Sequence, residues 1–304
     1  MSEMKQEKRP VNKSAVVKIV IWSVVFCLLG SILLAGITGG VENLNILGLP
    51  GIHINFGGFT YEDADEYSVG EATIKDTVTD LEINWVAGSI KVIPSDTDEI
   101  RVTEEYNGGD DDLRLRWRVK NGKLTVQFRK STVFGTSNSV SKDLTVAIPA
   151  AMLESMGDVE ITTVSGDVKF TGNADELTLD AVEGGLTVEG DIGELEVHAV
   201  DGNLTFTGGI RTANMDCVDA TVTMYLDMAS ELSFDQVDGD VNLYLSEEIT
   251  GFSAELDAMG GEISVEGFDV SSVSNKNTRW GDGSLRIEMD GVGAKLFIGK
   301  LTEN

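Results

Sequence analysis

Carboxylates are the first chemistry this chain offers. Between residues 164 and 263 stand 22 acidic side chains and only two basic ones, Lys169 and Arg211. They recur around an apolar series, Val164, Val182, Val200, Val218, Val237 and Met259. Asp180, His198, Asp216, Asp235 and Asp257 fall two residues before successive members, and Ser165, Glu183, Asp201, Asp219 and Asp238 fall one residue after. Carboxylates stacked at ~5 Å repel by on the order of 1 kcal/mol per exposed pair in water. Salt, splaying at turns or bound cations must relieve that. The stretch Val237 to Val241 (VDGDV) could give oxygens to Ca²⁺, which takes about six to eight. The Ca²⁺-binding β-roll repeat is a nonapeptide far richer in Gly and Asp. We therefore read a solubilising edge that also blunts lateral strand pairing. Ca²⁺ stays as the alternative, and no cofactor or metal ligand is assigned.

Enzymatic motifs are absent: the chain has no HExxH, no GxSxG and no phosphate-cradling Gly run with its Lys. Cys217 shares its place in the repeat with Ala181, Ala199, Gln236 and Ala258, which marks a tight small-residue column rather than a nucleophile. His198 interrupts the Asp column without an evident partner and reads as a surface imidazole. His53, in GIHINFGGF, reads the same way. No catalytic residue is assigned, and a non-enzymatic chain is expected. A carbohydrate-active β-helix enzyme is the minority alternative, because some pectin-degrading enzymes use acidic residues on such a coil.

The elements that carry these residues are short strands. The apolar series recurs at 18, 18, 18, 19 and 22 residues, the signature of stacked units. Four and six residues after each member come apolar pairs such as Leu186 and Val188. Three and five before the next come pairs such as Leu179 and Leu177. Residues two apart share one face of a strand. Each unit thus supplies two strands, with Gly166, Gly184, Gly202 and Gly239 at one corner and Gly172, Gly190 and Gly208 at another. The expected fold is all-β: a β-solenoid of about two strands per 18-residue coil, two-faced, with a three-sided coil as the alternative. The phrase LEINWVAGSIKVIP carries the coil back to Leu81. Near 100–150, alternating strands around Asn121-Gly122, a type I′ hairpin signal, predict an antiparallel insertion. Its basic stripe (Arg114, Arg116, Arg118, beside Trp117) reads as a solvated face balancing Asp110 to Asp112 and Glu104 to Glu105. The C-terminal run GDGSLRIEMDGVGAKLFIGK predicts the last, irregular coils and a cap.

Residues 15–37 are almost wholly apolar. As a helix they would reach about 34 Å at ~1.5 Å per residue, enough for a hydrocarbon core of ~30 Å. Lys18 can snorkel to one end, and Trp22 suits a near-interfacial place. Bases precede the span and acids follow it, so the amino terminus is expected in the cytoplasm. An uncleaved anchor is preferred, and a cleaved signal peptide is the rival. The expected plan is a cytoplasmic tail at 1–14, a transmembrane helix at 15–37, a linker at 38–74 and an extracytoplasmic domain at 75–304. Net charge is −28, with the first 20 residues at +3 (five bases, two acids), which leaves −31 for the remainder. Such a surface excludes nucleic acid as a partner, since nothing would neutralise phosphates. It suits cations or a basic partner.

The segments LEINWVAGSIKVIPSDTDEIRV (81–102), DLTVAIP (143–149) and VEITTVSGDVKF (159–170) resemble the bacterial "putative adhesin" β-strand-repeat family of domains of unknown function, which includes membrane-anchored envelope proteins of the Lia type. Ala220 departs from it where other units have Gly. The resemblance implies a solenoid outside the membrane and no catalytic residue to carry over. It leads to an adhesin-like binding or scaffold module of the cell envelope, contacting wall polymer or another envelope protein. A regulatory partner in the envelope stress response is the alternative.

Overall fold

The computed structural model describes residues 53–55, 58–131, 140–237, 239–270, 274 and 276–301, without the side chains of 53–58, 200 and 237. The expected span at 15–37, with Lys18 and Trp22, lies outside the described residues. Among the described residues no helix is long and apolar enough to cross a membrane. The chain forms two compact units, one of residues 1–62 with 131–138 and one of 63–130 with 139–304. In the first, His53–Asn55 and Gly58–Thr60 pair as an antiparallel hairpin. Beside it the Tyr61 amide donates to Ser131 Oγ at 3.2 Å.

The second unit is the expected solenoid, and it is two-faced. Strands Met156–Ser165, Ala174–Glu183 and the start of Ile192–Val218 pair in parallel in a first sheet. Val168–Thr171, Leu186–Glu189 and residues 204–207 pair in parallel in a second. Each coil crosses from one sheet to the other at a Gly corner. Gly184 shows why: its φ is +136°, and a Cβ there would lie 2.2 Å from the Gly166 carbonyl oxygen of the coil below. Where Ala220 replaces Gly, the left-handed conformation moves back to Asp219, whose φ is 53°. Carboxylate and amide oxygens tie the corners together. Asp167 Oδ1 accepts from the Gly185 amide at 2.8 Å, Asn173 Oδ1 from Asp191 at 2.9 Å, and Asp191 Oδ1 from Gly209 at 2.9 Å.

The inward columns are as the spacing predicts. Leu177, Leu179, Leu186 and Val188, and their counterparts through Phe206, Phe234 and Leu243, are buried. Val265 is the member that is half-exposed. The core is therefore one side chain deep from each sheet, and its enthalpy comes from like residues stacked at the ~4.8 Å strand spacing.

Spatial order departs from chain order at both ends. Around 100–150 the segment is only partly antiparallel. Ile100–Glu105 pairs antiparallel with Asp143–Pro149, and Arg116–Lys120 with Lys123–Gln127 across the Asn121-Gly122 turn (φ 55° and 84°). But Lys123–Gln127 lies parallel to Asp80–Asn84, and Asp143–Pro149 parallel to Ile90–Ser95. The expected insertion thus builds a coil of its own outside the one that precedes it in sequence. Ser68–Val69 and Ala72–Ile74, in the stretch read as linker, add short antiparallel strands to Arg116–Lys120 and Ile100–Glu105.

At the other end the run read as the last coils and cap takes an interior place. Leu285–Val292 pairs in parallel with Glu231–Val237 on one side and with Gly251–Met259 on the other. Lys295–Lys300 likewise separates Asp240–Leu245 from Glu262–Glu266. The reason lies in the side chains. Leu285, Ile287, Met289, Leu296 and Ile298 are all at most 1% exposed and fill both sheets. The 251–266 coil offers Ala254 and a half-exposed Val265 instead. It takes the end, where Asn277–Gly281 covers part of it antiparallel and Phe252, Phe268 and Trp280 cluster.

Candidate functional site: an acidic sheet face with an apolar margin

The two outer faces differ in chemistry because the outward positions of every coil align. On the second sheet the register runs Lys169, Thr187, Thr205, Thr223, Asn242, Phe297, a row mainly of hydroxyls and amides. Tyr225 stacks on Tyr244 there, with centroids 5.1 Å apart and planes 13° from parallel. Phe297 leans over Gly299, where a Cβ would meet its ring at 2.7 Å.

The first sheet turns carboxylates outward. Asp216, Asp235, Asp290 and Asp257 are direct register neighbours in that spatial order. Asp290 belongs to the displaced coil, so the sequence column Asp216, Asp235, Asp257 lacks it. A parallel row holds Glu82 beside Glu160 and Glu288 beside Glu255. Crowding shows in the titration of neighbours. Burial, and then Glu82, push the Glu160 carboxyl up, and burial with Asp158 and Glu194 does the same to Glu176. Local bases are spent on their neighbours, Lys123 on Glu82 at 2.7 Å and Arg286 on Glu231 at 3.6 Å.

His198 is not the partnerless imidazole that the sequence suggests. Its Nδ1 lies 2.8 Å from Asp180 Oδ1, and its Nε2 lies 3.5 Å from Glu196 and 3.9 Å from Asp216. The hydrogen bond to Asp180 raises its pKa against the opposing effect of burial. Parallel pairing makes this contact, since Asp180 and His198 are register partners. The same column alignment that listed them together in sequence could have revealed it. Cys217 is 1% exposed, and burial with the Asp216 charge pushes its thiol up to about 12. It is a packing residue. Of the second acidic column, Ser165, Glu183 and Asp201 are register neighbours, Asp219 forms the altered corner, and Asp238 lies outside the described residues. Among the described residues no three His, Cys, Asp or Glu side chains gather as a metal site. His53 opens the small hairpin of the first unit.

The apolar series on which the repeat is aligned lies at the margin of this face. Of the series, Val182 is 44% exposed and Met259 75%, and Val164 and Val218 are half-buried; the register adds Val292, 46% exposed, from the displaced coil and a half-buried Val86 from the first. Val292 and Met259 are register partners.

The basic stripe of 114–120 is consumed internally. Arg118 meets Asp63 at 3.2 Å and Glu66 at 2.9 Å, and Lys120 meets Glu66 at 2.8 Å. Arg116 is buried rather than solvated and donates to the carbonyls of Asp111, Arg114 and Leu115. Sequence periodicity gives no hint of Lys142. Its ammonium is buried between Trp85 and Phe128, with ring centroids at 5.0 and 4.3 Å. It donates to Glu104 Oε2 and the Leu113 carbonyl, both at 2.7 Å, and to the Phe128 carbonyl. Burial pulls its pKa down to about 8, so at neutral pH it is a cation with all three hydrogens used.

Fold and faces together define a two-faced β-solenoid with an acidic side and a hydroxyl side. Residues 78–220 match the model of the family described as Toastrack DUF4097. Solved structures of similar extent are a "putative adhesin" from Bacteroides fragilis (13% identity, 76% of this chain and 97% of that one, TM-score 0.43) and a "putative cell adhesion protein" from Clostridium sporogenes (11%, 77% and 100%, 0.32). A "putative lipid binding protein" from Parabacteroides distasonis is similar at 12% identity, over 78% of this chain and 97% of that one, with a TM-score of 0.31. No curated protein matches the chain.

Proposed function

We propose that the chain is a non-enzymatic, adhesin-like binding or scaffold module of the bacterial cell envelope, held at the membrane by residues 15–37 with the solenoid outside. The observation that carries this reading is the alignment of outward residues into rows, carboxylates on one sheet and threonines on the other. Rows of that kind present a repeated surface to an extended or multivalent partner, whereas catalysis needs unlike groups converging on one point. The apolar run with bases before it and acids after it supports the anchor and its direction.

The test is topology in a bacterial host. Protease added to intact spheroplasts should remove the solenoid while an epitope fused before Met1 stays protected, and the chain should remain in membranes washed at alkaline pH. A solenoid protected until lysis, or a chain released by the wash, would refute the reading.

A further inference from the structure

We propose that the Val/Met margin of the acidic sheet docks a basic amphipathic α-helix of a partner protein, laid along the stacking axis of the coils. The inference gives the binding module a class of partner and rests on that reading. Its first support is exposure. Exposed apolar side chains aligned on one face mark a contact surface: in one column Val182 is 44% exposed, Val218 is half-buried, and the register partners Val292 and Met259 are 46% and 75% exposed. Its second support is charge. Exposed Asp216 and Asp257 border the column on one side, and exposed Glu183 and Asp201 on the other. Such flanks repel an anionic bilayer and a second copy of the same face. They attract an apolar stripe bordered by Lys and Arg.

Spacing selects the helix. Coils repeat at ~4.8 Å, and an α-helix returns the same face each turn of ~5.4 Å. The two drift apart by only about 2 Å over four coils. An extended strand presents one face about every 6.7 Å and loses step after two coils.

The experiment uses the full-length chain in phosphatidylcholine nanodiscs, with empty discs as the blank. The probe is a fluorescent peptide of about 18 residues, long enough to hold a helix. It carries Leu at i, i+3, i+4 and i+7 spacing and Lys on both flanks. A scrambled peptide of the same composition keeps the charge and loses the stripe. Anisotropy should show the striped peptide binding at least about tenfold tighter than the scramble. Val182→Ser/Val292→Ser/Met259→Ser, three exposed changes, should bring it to the level of the scramble with the circular dichroism of the chain unaltered. Equal binding of both peptides, or unchanged binding by the triple variant, would overturn the proposal. So would vesicles of phosphatidylglycerol that bind wild type and not the triple variant. None of these readouts depends on where the solenoid sits in the cell. Failure here leaves the topology result standing, and failure there leaves a helix-binding margin in another compartment.

Discussion

If the 285–300 coil is interior, Ile287→Ala should behave as a mid-stack core truncation although it lies within 20 residues of the C-terminus. Ile287 is 0% exposed, with Leu232 and Ala254 as its register neighbours on either side. Truncating a fully buried Ile costs about 2–5 kcal/mol, the transfer of the lost carbons plus the cavity left behind. Ala254 is already small and cannot fill the gap, which places the cost in the upper half, about 3.5–5 kcal/mol. Val265→Ala, on the half-exposed edge of the 251–266 coil, should cost about 1 kcal/mol or less. Urea midpoints of the full chain measure both. Because stacked repeats can unfold from the ends, amide exchange must accompany them. Amides of Leu285–Val292 should be protected as strongly as those of Glu231–Val237, and those of Glu262–Glu266 less. Equal costs for the two variants, or early exchange of Leu285–Val292, would refute the interior placement.

Gly184→Ala should destabilise by about 2 kcal/mol or more in the same melts, since it sets a Cβ against the Gly166 carbonyl at a φ that side chains rarely adopt. An unchanged midpoint would count against the corner geometry. His198, with its pKa raised by Asp180, gives stability that is fully present below its ordinary pKa near 6.5 and lost as pH rises through the higher folded value. NMR titration of the ring should show that raised midpoint, and Asp180→Asn should lower it. Lys142→Met leaves Glu104 buried without its cation and should cost about 3–5 kcal/mol, and Lys142→Met with Glu104→Leu should cost markedly less. In wild type the Lys142 pKa of about 8 lies below the ordinary 10.5, so the unfolded chain holds more protons between those values. This group therefore raises stability as pH climbs through that window, a rise that Lys142→Met removes.

What the sequence made legible was whatever depends on residues within one coil. Two inward pairs flanking a Gly corner are local, so Leu177, Leu179, Leu186 and Val188 could be placed before any pairing was known. Asn121-Gly122 was equally plain, and the missing Gly at Ala220 correctly flagged an altered corner. What stayed hidden depends on which coil lies beside which. A parallel ladder accepts any unit with the right inward pattern, because like columns meet whatever the chain order. Lys123–Gln127 can therefore lie outside Asp80–Asn84, and Leu285–Val292 can divide two coils that follow each other in sequence. The neighbours of every outward side chain change with that choice. Asp290 joins the Asp row only because its coil moved inward, and Lys142 meets Glu104 because Asp143–Pro149 pairs antiparallel with Ile100–Glu105, strands far apart in sequence. Coil order rather than coil shape therefore sets the chemistry of this surface. Substitutions that reorder coils while keeping every inward residue should alter binding before they alter the fold.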